Sequence, residues 1–125
     1  MTAKPTPLSL VQNHQVQTAD LNLHHTLYAG KTFLWALEAA YTLAQSQTQD
    51  QMVAVGINEF KYLQAVKLGQ KVEAHAQVVK FGKTSVTIEV TLLLPDNVKA
   101  ATGRITFVNT GPNGQKIEHH RYLES

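Results

Sequence analysis

DLNLHHTLYAGKTFLWALEAAYTLAQ, residues 20–45, is the stretch whose reading decides the fold. From Ala29 onward Phe33, Leu34, Trp35, Ala36, Leu37, Ala39, Ala40, Tyr41, Leu43 and Ala44 are apolar, and they fall on every side of a helical wheel. A helix apolar all round is a buried one. Interrupted by Lys31, Thr32 and Glu38, this segment is too short to cross a membrane. Glu38 is the single charge in its middle, with Leu34, Trp35, Tyr41 and Thr42 as its neighbours three and four residues away. The spacing predicts a carboxylate on a mostly apolar face, which must be paired, neutralised or put to use.

Around the helix the period is two. Residues 8–18 alternate Leu8, Leu10, Gln12, His14 and Val16 against mainly polar neighbours, a strand with a polar centre. Ahead of it, residues 1–7 form a proline-bearing lead-in, and residues 20–28 form a polar loop. After the helix, residues 52–62 place Met52, Ala54, Gly56, Asn58, Phe60 and Tyr62 opposite Val53, Val55, Ile57, Glu59 and Lys61. Three further strands follow over 71–81, 83–94 and 98–109, separated by turns at Gly69, Gly82 and Pro95. The tail, 115–123, is expected to add a short edge strand. Strand, one long helix, then four antiparallel strands predict a single α+β domain over 1–125, its sheet wrapped on a central helix. The helix surface left over calls for a partner subunit.

Composition bounds the function. Eleven basic and nine acidic residues leave a formal charge of +2 without a basic cluster, giving little support to a nucleic-acid partner. The absence of cysteine excludes disulfides, thiolate metal sites and a cysteine nucleophile. With no signal-peptide core and no membrane-length apolar run, the expectation is a cytoplasmic protein that binds no membrane.

Several constellations invite chemistry. Gly30-Lys31-Thr32 opens the helix, but a phosphate loop needs glycine at position 25, which is His25; Gly82-Lys83-Thr84-Ser85 has Gln77 at the corresponding place. Backbone N–H groups at a helix start such as Gly30 are nonetheless free to hold a carbonyl oxygen or an anion. His24-His25 and His119-His120 lack the spacing and carboxylate partners of a metal site, so no metal is expected. Gly30 and Glu38 are eight residues apart, about 12 Å along a helix, too far for one small reacting group to touch both. Two antiparallel helices from two chains would bring one chain's Gly30 beside the other's Glu38.

These residues resemble the hotdog-fold acyl-CoA thioesterases. The similar pieces are Asn22-x-His24-x-Thr26-Leu27-Tyr28-Ala29-Gly30, then Trp35 and Glu38, then Tyr62-x-x-Ala65-Val66-x-x-Gly69, then Gly82 to Val86 and Gly103 to Val108. The resemblance implies a hotdog fold, an antiparallel sheet around one long central helix, active in dimers or tetramers with sites between subunits. It implies Glu38 as general base or nucleophile, the Gly30 N–H as donor to the thioester carbonyl, and Asn22 and His24 as further catalytic residues. Substrate contacts are implied at Tyr28, Ala29, Asn58, Thr84 and Ser85. No cofactor is implied, coenzyme A entering as part of the substrate. His25, Ala29 and Ala65 depart from the common family residues. Two other readings fit the same fold: a dehydratase or hydratase using His24 and Glu38, and a non-catalytic acyl-CoA-binding module.

Overall fold

The computed structural model describes residues 6–123. Most of the lead-in, residues 1–5, therefore lies outside the described residues, while Thr6 and Pro7 belong to neither helix nor strand. The elements run β1 (Ser9–Gln15), α1 (Ala29–Gln45), β2 (Gln51–Tyr62), β3 (Lys71–Phe81), β4 (Ser85–Leu94) and β5 (Val98–Thr110). All strand pairings are antiparallel, in the order β1-β3-β4-β5-β2. One face of this sheet holds Val72, Ala74, Val86, Ile88, Val90, Ile105 and Phe107 against α1, and these side chains form the core. This is the α+β hotdog arrangement that the sequence predicts.

The helix is built to lie flat on a sheet. Ala36, Ala39, Ala40 and Ala44 are fully buried and short enough to let the backbone approach, while Trp35 and Leu43 fill the space on either side. Leu43 is among the largest buried side chains, and truncating it to alanine would cost about 2–5 kcal/mol. Burial on every side does not hold, however. Leu34 is 38% and Tyr41 44% exposed, and Glu38 between them is exposed as well. The sheet covers one side of the helix, and among the described residues nothing covers Leu34, Glu38 and Tyr41 on the other.

A second correction concerns β2. Register shifts fall between Ala54 and Gly56 and between Asn58 and Lys61, each inserting one extra residue. The strict alternation read from the sequence is thereby broken. Ile57 pairs with the inward Ile105, and Phe60 crosses Gly103 so closely that a Cβ there would meet its ring at 2.6 Å. Asn58 pairs with Arg104, whose guanidinium bonds Glu89 on the outer face.

The tail also differs from expectation. It makes one isolated bridge, Thr110 to Lys116, and then crosses the sheet end without forming a strand. Gly111 and Gly114 bracket a turn there, and side chains take over the anchoring. His119 donates from Nε2 to the Ser85 carbonyl at 2.7 Å, and Arg121 donates to Gln47 Oε1 at 2.8 Å.

Candidate functional site

The approach to the helix is set by Asn22. Its Oδ1 accepts from the backbone N–H of His24 at 2.9 Å and of Thr26 at 3.1 Å, while its Nδ2 donates to the Thr26 hydroxyl at 3.0 Å. This side chain closes a tight loop in which His25 takes a left-handed conformation, φ 60°. The loop is stitched to the segment after β2, with Leu27 N–H donating to the Val66 carbonyl at 2.7 Å. Asp20, missed as an anchor by sequence reasoning, is buried below it. Its carboxylate accepts from the Gln17 N–H at 2.9 Å and lies 3.5 Å from the Lys31 ammonium.

At the helix start Tyr28 caps the first turn without a side-chain cap bond, and its carbonyl accepts from both Lys31 and Thr32. The N–H groups of Ala29 and Gly30 have no acceptor among the described residues. Unpaired donors of this kind carry the positive end of the helix dipole. Beside them a cleft of about 330 Å³ is lined by Asn22, Leu27, Ala29, Thr32, Tyr62 and the 63–66 segment. Tyr62 closes one side, its hydroxyl donating to the Ala29 carbonyl at 3.0 Å.

Of the sequence-predicted residues, Asn22, Ala29, Gly30 and Tyr28 gather here. His24 is exposed on the loop and does not line the cleft. Asn58 lies on the outer face of the sheet. Thr84 and Ser85 sit at the opposite end, where Ser85 pairs with Val108 near the Gln51–Thr110 pair. The 17 residues of α1 separate that end from Gly30, about 25 Å at 1.5 Å per residue. A single chain does not bring these groups together.

Glu38 lies a little over two turns along the helix from Gly30, on the row of Lys31, Trp35 and Thr42. That row faces β1: Thr42 accepts from Gln12 Nε2 at 3.3 Å, and His14 stacks on Trp35. No ion pair to Glu38 occurs among the described residues. His14 is a second residue that sequence reasoning left without a role. Its Nε2 is buried without a hydrogen-bond partner, and desolvation lowers its pKa, opposed by the nearby charge of Glu38. Its place in the alternation of β1 marks it as inward, but only the strand–helix register reveals the ring beneath it.

A larger cavity of about 600 Å³ lies between β1, β3 and the β4–β5 turn. Its lining includes Asn13, His14, Lys71, Glu73 and Asp96 and none of the residues at the helix start. Among the described residues no three His, Asp or Glu side chains come together as a metal site. No helix is long and apolar enough to cross a membrane among them either.

Comparison with solved structures finds the same architecture repeatedly. The acyl-CoA hydrolase of Staphylococcus aureus, solved with butyryl-CoA, coenzyme A and coenzyme A disulfide, superposes with a TM-score of 0.82 at 26% identity, covering 88% of this chain and 68% of its own. A Streptococcus mutans protein bound to acetyl-CoA gives 0.79 at 19% identity, covering 87% and 86%. The PaaI protein of E. coli, from the phenylacetic acid degradation operon, gives 0.77 at 23% identity, covering 82% and 73%. The last two likenesses show the fold. Among curated protein sequences there is no match to this chain. The family profile described as the thioesterase superfamily matches residues 24–101. That match takes in the whole of α1 with Gly30 and Glu38, the cleft residues from Leu27 to Ala100, and three complete strands. On that span, and with the fold already in place around it, this chain belongs to the thioesterase superfamily.

Proposed function

We propose that this protein hydrolyses acyl-CoA thioesters in a site that two copies of the chain build together. The observation that carries the reading is the pair of unpaired N–H groups at Ala29 and Gly30, placed beside a cleft at the start of α1. A thioester carbonyl bound there gains a hydrogen bond that strengthens as its oxygen becomes negative; one such donor supplies about 10²–10³ in rate. Glu38 of the second copy takes a proton from water while the water oxygen bonds to the carbonyl carbon. The tetrahedral adduct then collapses, the C–S bond breaks, and the sulfur leaves as free thiol once it regains the proton. Direct attack by the carboxylate, followed by hydrolysis of the mixed anhydride, gives the same products.

Membership of the thioesterase superfamily supports this reading, as does the likeness to the Staphylococcus aureus hydrolase. Assembly through a second copy is supported by apolar surface left uncovered. Val53, Val55 and Ile57 on the edge strand β2 are 41%, 59% and 52% exposed, and Leu34 and Tyr41 of the helix are exposed as well. A dimer or tetramer working in the cytoplasm, with coenzyme A as the carrier, completes the proposal.

The test is thiol release from saturated acyl-CoA esters by the wild type and by Glu38→Gln. The variant keeps size and hydrogen bonding but loses base and nucleophile, so hydrolysis falls by about 10²-fold or more. Because the carboxylate is exposed and unpaired here, melting temperature stays unchanged. Unchanged activity per folded molecule would remove Glu38 from the mechanism. Hydration of an enoyl-CoA without thiol release would instead make the protein a hydratase.

A further inference from the structure

The hydroxyl of Tyr62 donates to the carbonyl oxygen of Ala29 at 3.0 Å. That oxygen and the N–H of Gly30 belong to one peptide group, which resonance holds planar. We infer that Tyr62 is a positioning residue for thioester hydrolysis, orienting and polarising the Ala29–Gly30 peptide so that its N–H is a stronger oxyanion donor. The inference rests on the hydrolase reading above and names a residue that acts through the backbone.

Three features of the chain carry it. A carbonyl oxygen has two lone pairs, and in the first turn of a helix the ladder bond occupies one. Tyr62 takes the other, and a bond received at the oxygen end of a peptide raises the donor strength of its N–H end. The Gly30 N–H has no acceptor among the described residues, so the added polarity is available to a ligand. Tyr62 also lines the cleft together with Ala29, which puts the tether and the ligand space side by side.

The chain spends conformational strain on this contact. Asn58 faces outward opposite Arg104, and simple alternation would turn Phe60 and Tyr62 outward too. The extra residue between Asn58 and Lys61 reverses them, so that Tyr62 pairs with the inward Ala101 and reaches the helix. Glu59, inside that bulge, adopts φ 51°, a conformation costly for a residue with a side chain. Bulges of this kind re-aim side chains. Here the one re-aimed toward the helix start carries the hydroxyl. Its ring packs edge-on against Phe60 at 5.2 Å, a contact that phenylalanine at position 62 would keep.

Tyr62→Phe therefore removes the hydroxyl alone. Against a saturated acyl-CoA, kcat falls about three- to ten-fold, the order of one neutral hydrogen bond, while KM stays within about two-fold and melting temperature holds. A second reading needs no turnover. The ketone analogue of acetyl-CoA, with CH2 in place of sulfur, binds both proteins, and its carbonyl infrared band lies at higher frequency in Tyr62→Phe than in the wild type. An unchanged kcat and unchanged band in a hydrolysing wild type would overturn the inference alone. Loss of melting temperature with a raised KM and an unmoved band would overturn it too, leaving Tyr62 a packing residue. A wild type that releases no thiol would overturn the hydrolase reading and this inference with it.

Discussion

His14 lies flat on Trp35, ring centroids 4.3 Å apart and planes 10° from parallel. The stack joins β1 to the helix directly beside Glu38, and it holds the imidazole Nε2 away from water with no partner to bond. Burial is the main cause of the lowered pKa; Lys31 lowers it further, while Glu38 and Asp20 pull the other way.

A depressed histidine pKa makes the folded state the poorer proton acceptor. Above the ordinary imidazole value of about 6.5 both states are neutral and the stack costs nothing. As pH falls below it the unfolded chain takes up a proton first, and stability declines until the folded pKa is reached. Melting temperature of the wild type is expected to fall between pH 7.5 and 5.5 more steeply than that of His14→Phe, which keeps the stack and cannot titrate. Parallel curves for the two proteins would show that His14 does not contribute.

Asn22 is expected to matter first for stability. Asn22→Ala leaves the N–H groups of His24 and Thr26 without their acceptor; the exposed His24 donor turns to water, while the half-buried Thr26 donor costs about 1–3 kcal/mol. Asn22→Asp keeps an acceptor oxygen and should recover most of the loss in thermal melts. If Asn22→Ala melts like the wild type but no longer hydrolyses thioesters, the side chain faces substrate and its loop bonds are incidental.

The apolar edge of β2 predicts association. In light scattering the wild type is expected at twice or four times the chain mass, and Val55→Lys, which places a charge on that edge, at lower mass and with weakened hydrolysis. A wild type that is monomeric and still hydrolyses thioesters would remove the need for a second copy.

How much of this was legible without coordinates follows from the range of each interaction. The helix was readable, since its apolar density and the polar runs on either side are local. So was the alternation that turns Gln12 and His14 inward on β1. The uncovered helix face was not, because apolar residues at a subunit contact and in a core look alike in sequence. The bulges of β2 were hidden for a different reason: neither Val55 nor Glu59 is a residue type that announces a left-handed or extra position. Asn22 was visible as a polar loop residue, but its bonds to His24 and Thr26 depend on the turn geometry. Tyr62 is readable as an end of the β2 alternation and as part of a turn pattern, but its meeting with Ala29 depends on the bulge before it.

The central claim is a thioesterase site divided between two copies, and mixed assemblies test it most directly. Glu38→Gln leaves Gly30 intact; Gly30→Pro removes the N–H donor in the first turn, where no ladder bond is lost, with the Tyr28 ring shifting because a Cβ there would meet it at 2.9 Å, and leaves Glu38 intact. Each variant alone is expected to release almost no thiol from an acyl-CoA. Unfolded together and refolded at equal amounts, half of the two-fold assemblies would carry one of each, with one complete site of two. Thiol release should then return to about a quarter of the wild-type rate, by the symmetry of such an interface. Folded mixed assemblies that stay as inactive as their parents would contradict the divided site.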